Sequence, residues 1–307
     1  MKPKLIQHLL RLSFIIRLIQ FSKQISLPGF QGLSVYEVAV FFYLAISKGA
    51  VTSRASAVAY SFFIALFPAI IFFFTIIPYL PIANFETTLM GLLKGLMPEN
   101  AYLTIESTVF DIITRKQGGL LSFGFLMALY FSTSGINSLI LAFNMSIHKS
   151  ETRKAVKQRF ISLLLVIILA LLTIVAIALL TIGNFVLNYM ESIGLLNDLL
   201  IIYALLAAKW IVLVALFFFG ISFVFYLGPV KKTRYRFISA GSTLATFLSV
   251  ISSIGFDFYV RNFSKYNALY GSIGTILILL VWTYIFSLVL IIGFELNTSI
   301  QQAKNAI

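Results

Sequence analysis

Six long apolar runs divide the chain, and most of its charged residues lie between them. The runs cover about 57–80, 120–144, 160–187, 200–227, 237–259 and 269–298. A helix needs roughly 20 apolar residues to cross about 30 Å of hydrocarbon. Each run meets that length, so the pattern predicts an all-α, polytopic membrane protein built as a bundle of six transmembrane helices. Pro78 and Pro81 end the first run and Gly228-Pro229 the fourth, while the third is long enough to tilt. Ahead of them, Leu5, Leu9, Leu12, Ile16 and Ile19 recur at helical spacing, interrupted by Lys4, Arg11, Arg17 and Lys23. That pattern reads as a basic amphipathic helix lying on the membrane surface and ended by Pro28-Gly29. The apolar stretch Val35 to Ile46 is too short to cross. In the long loop after the first run, Ile105, Val109 and Ile112 share a helical face, which predicts one or two short amphipathic helices over the outer end of the bundle. The domain plan is an N-terminal segment 1–50, a transmembrane domain 51–300 and a short tail 301–307. No internal repeat emerges.

Composition supports that reading. Hydrophobic residues make up 60% of the chain and charged residues only 11%, against about a quarter charged in soluble domains. The net charge of +13 raises the question of nucleic acid, but the basic residues sit in short segments between apolar runs, as membrane topology requires. With six crossings, 17 Lys and Arg fall on the side of the termini, 5 on the other side, and Lys209 within a span. The bias places both termini in the cytoplasm. Residues 1–27 offer no uninterrupted apolar core or small-residue cleavage site for a signal peptide. No cysteine is present, which excludes disulfides and thiolate chemistry. Both histidines, His8 and His148, lie in basic segments, and no metalloprotease, phosphate-loop or metal-carboxylate pattern occurs. The sequence therefore predicts no enzyme, cofactor or metal.

Ionisable residues within membrane helices are costly and mark candidate sites. Lys209 and Asp257 belong to the outer half of their runs and form a candidate pair. The plainer reading of Lys209 is an ammonium snorkelling to the interface beside Trp210. Glu295 matches Arg54 in depth at the inner end, and Asn144 and Asn297 are candidates to join them. A structural tie and a gate or proton-coupled switch are the two readings of that group. Gly241, Ala245, Ser249 and Ser253 recur every four residues, a stripe that lets two helix backbones approach. A hydroxyl-lined path is its alternative. Pro68 interrupts the first run and removes a backbone donor.

These residues sit in recognisable stretches. TSRASAVAYSFFIALFPAIIFFF at 52–74, the run GINSLILAFNMSIHKSETRKAVKQRF with Asn144 and Arg153, and YLGPVKKTRYRFISAG resemble the YihY/BrkB family of bacterial inner-membrane proteins. The strongest likeness is YGSIGTILILLVWTYIFSLVLIIGFELN at 270–297, carrying Tyr270, Gly271, Trp282, Gly293, Glu295 and Asn297. Phe294 departs from the small residue often found before Glu-Leu-Asn. The resemblance covers about residues 45–300 and implies six helices, a plasma-membrane location and a role in the cell envelope. It also carries a former ribonuclease label, which the residues do not support.

The leading functional expectation is a transporter or flippase-like protein for an anionic lipid or glycolipid precursor. The runner-up is a non-transporting scaffold that organises lipids or envelope proteins. Expected partners are anionic membrane lipids, with a second copy of the chain or envelope proteins as others, and no nucleic acid. A chamber bordered by Arg54, Asn144, Asp257 or Glu295 would favour the transporter; the same residues in closed pairs would favour the scaffold.

Overall fold

The computed structural model describes residues 13–76, 118–146, 153–192, 199–230, 237–262 and 272–306, with a few isolated positions between 79 and 111. The expected amphipathic helices of the outer loop, the first twelve residues, Tyr270 and Gly271 lie outside the described residues. Among these residues every regular element is a helix. Two short helices, α1 (Ser13–Gln24) and α2 (Val35–Lys48), precede six long ones. These are α3 (Val51–Ile76), α4 (Gly118–Ser146), α5 (Ala155–Ser192), α6 (Leu199–Leu227), α7 (Ala240–Asn262) and α8 (Ser272–Ala306). All six are long and apolar enough to span a bilayer. Their outward faces carry exposed Ile, Leu and Phe, such as Ile177, Phe247 and Ile254. Such faces are stable only where the solvent is itself hydrocarbon, with every backbone group satisfied inside its helix. The protein is an all-α polytopic membrane protein.

Several boundaries differ from those expected. The first span starts at Val51, so Arg54 lies within its first turn and not ahead of it. A sharp corner places it there. Gly49 closes α2 by donating to the Ala45 carbonyl, and Ala50 takes a left-handed φ of 46° before α3 begins. The last span runs on to Ala306, so the segment expected as a tail is helical. It is held by burial. Ile300 and Ala303 pack with Phe30, Leu33 and Val38 in a small second core, and the Lys304 ammonium donates to Gln31 Oε1 at 3.2 Å. The N-terminal segment is thus joined to the bundle through α8. α2 has 14 residues and reaches only about 21 Å at 1.5 Å per residue, short of the hydrocarbon thickness.

α8 is the hub of the bundle, packing on α3, α7, α2 and α4, while α3 and α4 share the most extensive contact. α5 sits at the periphery against α4 and α6. The main core is built from Ala55, Val58, Ile140, Phe143, Leu165, Phe225, Ile291 and Phe294, among others. α3 continues through Pro68.

A reciprocal capping box starts α2. The Ser34 amide donates to Glu37 Oε2 at 2.8 Å and the Glu37 amide donates to Ser34 Oγ at 3.2 Å. The bond from the Ser34 backbone holds the Glu37 carboxyl below its ordinary pKa. The folded pKa then lies under the unfolded one, so this contribution is complete above the ordinary carboxylate range. It is lost as pH falls through the folded value. Glu37→Gln should flatten the acid limb of the stability–pH curve of the purified protein, and an unchanged limb would refute this.

Candidate functional site

Four helices bring polar groups together at the end of the bundle that carries most of the Lys and Arg. Arg54 on α3 and Glu295 on α8 form an ion pair, with Arg54 Nη2 donating to Glu295 Oε1. Both side chains are buried, at 4% and 3% exposure. Arg54 Nη1 also donates to the Ala142 carbonyl at 2.8 Å and to Ser146 Oγ at 2.6 Å on α4. Ser146 Oγ in turn donates to Glu295 Oε1 at 2.7 Å, and Thr298 Oγ1 lies 3.2 Å from Oε2. The pair is thereby ringed by hydrogen bonds, as a buried ion pair must be to offset its desolvation. Arg54 Nε is the exception, buried without a hydrogen-bond partner among the described residues.

The structure separates the two asparagines from this pair. Residues two apart on a helix point about 200° away from each other at 3.6 residues per turn. Ser146 therefore faces the pair while Asn144 faces away, accepting the Val230 amide at 3.0 Å. By the same rotation Glu295 faces α3 and α4 while Asn297 faces α7. Asn297 Oδ1 accepts the Gly241 amide at 2.8 Å, and its Nδ2 donates to Ser239 Oγ at 2.9 Å. Ser146 and Thr298 went unread in the sequence. Their one signal was position, since Thr298 lies three residues after Glu295 and Ser146 lies four after Ala142, on the same helical faces.

Arg153 acts with Asn144. Its guanidinium donates to the carbonyls of Gly228 at 3.0 Å, of Leu227 at 3.5 Å, and of Pro229. Those carbonyls end α6, where Pro229 stops the helix and its dipole favours a cation. Partial burial pulls the Arg153 pKa below its ordinary value; an arginine stays cationic regardless. Asn144 and Arg153 clamp residues 227–230 from both sides. Arg153→Ala should cost about 1.5–3 kcal/mol, the range for hydrogen bonds to charged groups, in a denaturation titration. A loss within error of zero would mean the clamp holds nothing.

The small-residue stripe is where two backbones meet. A Cβ at Gly241 would lie 2.2 Å from the Gly293 carbonyl oxygen, and one at Gly293 would lie 2.6 Å from Ala245 Cβ. Ser249 is buried further along, whereas Ser253 is exposed and donates to the Ser249 carbonyl at 2.8 Å. Trp282 packs on Phe256, ring centres 4.8 Å apart.

Asp257 is exposed on α7. Lys209 is half-buried, and its Cδ lies 3.9 Å from where a Gly183 Cβ would stand on α5. Its stem therefore passes close to α5.

Above the polar cluster, away from the basic end, the bundle is hollow. A cavity of about 440 Å³ is lined by Leu139, Leu172, Leu213, Gly220, Val224 and Leu290, among others. A neighbouring cavity of about 350 Å³ shares Phe62, Ile136, Leu169 and Phe286 with it. Both are partly open at the surface, and together they form the apolar chamber region of the bundle. Between chamber and ion pair lies an aromatic layer. Phe143 stacks on Phe294 at 4.2 Å, and Phe225 meets both edge-on. The order is repeated along the helices: Leu139, Phe143, Ser146 on α4, and Leu290, Phe294, Glu295 on α8. Phe294, the departure noted in the sequence, fills this layer. Among the described residues no cluster of His, Asp or Glu is placed to hold a metal.

Comparison with known proteins gives a consistent picture. The family model described as "Virulence factor BrkB" matches residues 42–306. A ribonuclease-like protein named YfkH from Bacillus subtilis strain 168 is 31% identical over 253 residues, 82% of this chain and 90% of that protein. The UPF0761 membrane protein NTHI0384 of Haemophilus influenzae is 22% identical over 275 residues, 88% of this chain and 97% of that protein. A UPF0761 membrane protein of Vibrio campbellii is 31% identical over 121 residues, 39% of this chain and 38% of that one. No solved structure matches.

Proposed function

The chain belongs to the BrkB virulence-factor family of membrane proteins, and from that premise we propose that it handles amphiphiles, as a transporter or flippase-like protein for an anionic lipid or glycolipid precursor. The observation that carries this reading is the layering of the bundle: an apolar chamber at membrane depth, an aromatic layer, then a closed polar cluster at the basic end. Each cavity of the chamber falls within the usual range for small-molecule sites, about 300–1,000 Å³. Acyl chains suit its lining. The basic end suits a negatively charged head group, each Lys or Arg near an anionic surface contributing roughly 1 kcal/mol. In this reading the protein lies in the bacterial plasma membrane with both termini cytoplasmic, and the Arg54–Glu295 pair, which does not line the chamber, is shut beneath the Phe143–Phe294 layer.

Reconstitution in vesicles carrying a fluorescent anionic lipid tests it. Leaflet exchange should exceed that of protein-free vesicles and fall when Gly220→Phe fills the chamber, since a Cβ there already lies 3.3 Å from Leu169 Cδ2. Absence of exchange for every lipid class would favour the second reading, a scaffold that organises lipids or envelope partners. The closed, buried pair supports that alternative, because its two side chains are spent on each other and on Ser146. We read no nuclease in this chain, on the strength of its residue inventory. RNA cleavage by protein freed of contaminating nucleases would reverse that.

A further inference from the structure

Arg159 immediately precedes the third apolar run of the sequence. The structure places it in α5, the fifth residue of the candidate span that begins at Ala155. It stands on the outer face of the bundle, against α4. Its guanidinium lies over the Tyr130 ring, 5.1 Å from the centroid. Nη1 donates to Ser134 Oγ at 2.9 Å and reaches Thr133 Oγ1 at 3.4 Å. The surroundings are apolar and outward-facing: Tyr130 is 54% exposed, Phe160 65% and Val156 83%. These are the residues of a lipid-facing wall.

The charge balance of this site is incomplete. Every acceptor around Arg159 is a neutral hydroxyl or an aromatic face, and the ion pair among the described residues is the distant Arg54–Glu295. A guanidinium has five N–H donors. Nη1 supplies two of them to α4, which leaves three, on Nε and Nη2, without a protein acceptor among the described residues. A cation on a membrane-facing wall is stable only with a counter-charge or a route to water. Its planar fork matches a phosphate oxygen pair. The hydroxyls and the Tyr130 ring hold it fixed, so little further side-chain entropy is lost on binding.

We propose that the α4–α5 face binds the phosphate of an anionic membrane lipid, gripped by Arg159 and positioned by Tyr130 and Ser134. Exposed Lys154 and Lys157 add diffuse attraction nearby. The site lies outside the chamber and stands whether or not the chain moves lipids.

Native mass spectrometry of the full-length protein, released from nanodiscs of mixed phosphatidylglycerol and phosphatidylcholine, reads the proposal directly. Wild type should retain phosphatidylglycerol with about a five- to tenfold preference. Arg159→Gln should lose most of that preference. Lys48→Gln, which removes an exposed cation on α2 away from this face, should leave it unchanged. If Arg159→Gln fails to fold, Arg159→Lys carries the test: it keeps the charge but not the fork, and its preference should fall several-fold. Equal preference in wild type and the Arg159 variants would overturn the proposal. So would displacement of the lipid by soluble glycerol phosphate at millimolar concentration, because the site would then recognise a free phosphate and not a bilayer lipid.

Discussion

Glu295→Gln should destabilise the folded protein by about 3–5 kcal/mol, the cost of leaving one member of a buried ion pair without its counter-charge. The variant keeps an acceptor oxygen within reach of Arg54, so the loss would come from charge more than from shape. Arg54 has little to fall back on. Its Nε is already without a hydrogen-bond partner among the described residues, and its remaining bonds go to the neutral Ala142 carbonyl and Ser146 hydroxyl. The pair joins α3 to α8 across 241 positions of sequence, so losing it would loosen the basic end as a whole. The double variant Arg54→Met, Glu295→Met should recover much of the lost stability, because two apolar side chains of similar bulk remove both desolvation costs. Denaturant titration in detergent, with helicity as the signal, measures both. A single variant as stable as wild type would show that the pair does not hold the bundle. If the double variant is stable yet alters leaflet exchange, the pair serves as a gate and not only as a tie.

Gly241→Ala should be the most damaging methyl group that can be added to this chain at a glycine of α7. The new Cβ would stand 2.2 Å from the Gly293 carbonyl oxygen and 2.6 Å from the Asn297 side chain. The nearest atom is backbone, so no rotamer change relieves it; α7 must move off α8. Overpacking of this kind costs about 3 kcal/mol, and the shift would also break the bond from the Gly241 amide to Asn297. Gly255→Ala on the same helix is the control, since a Cβ there meets nothing within 4 Å. It should be neutral or stabilising by up to about 1 kcal/mol through helix propensity. If the two substitutions behave alike, the close approach of α7 and α8 is not a constraint on the fold.

The sequence alone determined the class of the molecule. Runs of twenty or more apolar residues cannot be hydrated, and a backbone in hydrocarbon must close its hydrogen bonds within a helix. Six helices and their approximate positions follow from one-dimensional composition. The small-residue stripe was legible for the same reason, because spacing by four marks a face without reference to a neighbour. The depth match of Arg54 and Glu295 was legible too, as distance along a helix is fixed by residue count.

Rotation and tilt were not legible. A nearly uniform apolar helix carries no signal for which side meets which neighbour; in lipid, packing against other helices sets that angle. Tertiary structure therefore decided that Asn144 and Asn297 turn away from Arg54 and Glu295, and that Arg153 reaches back to cap α6. It also decided that Arg159 faces outward and that the chamber sits above Phe143 and Phe294. Apolar composition is indifferent between a filled core and a hollow one, and only the packing of whole helices distinguishes them.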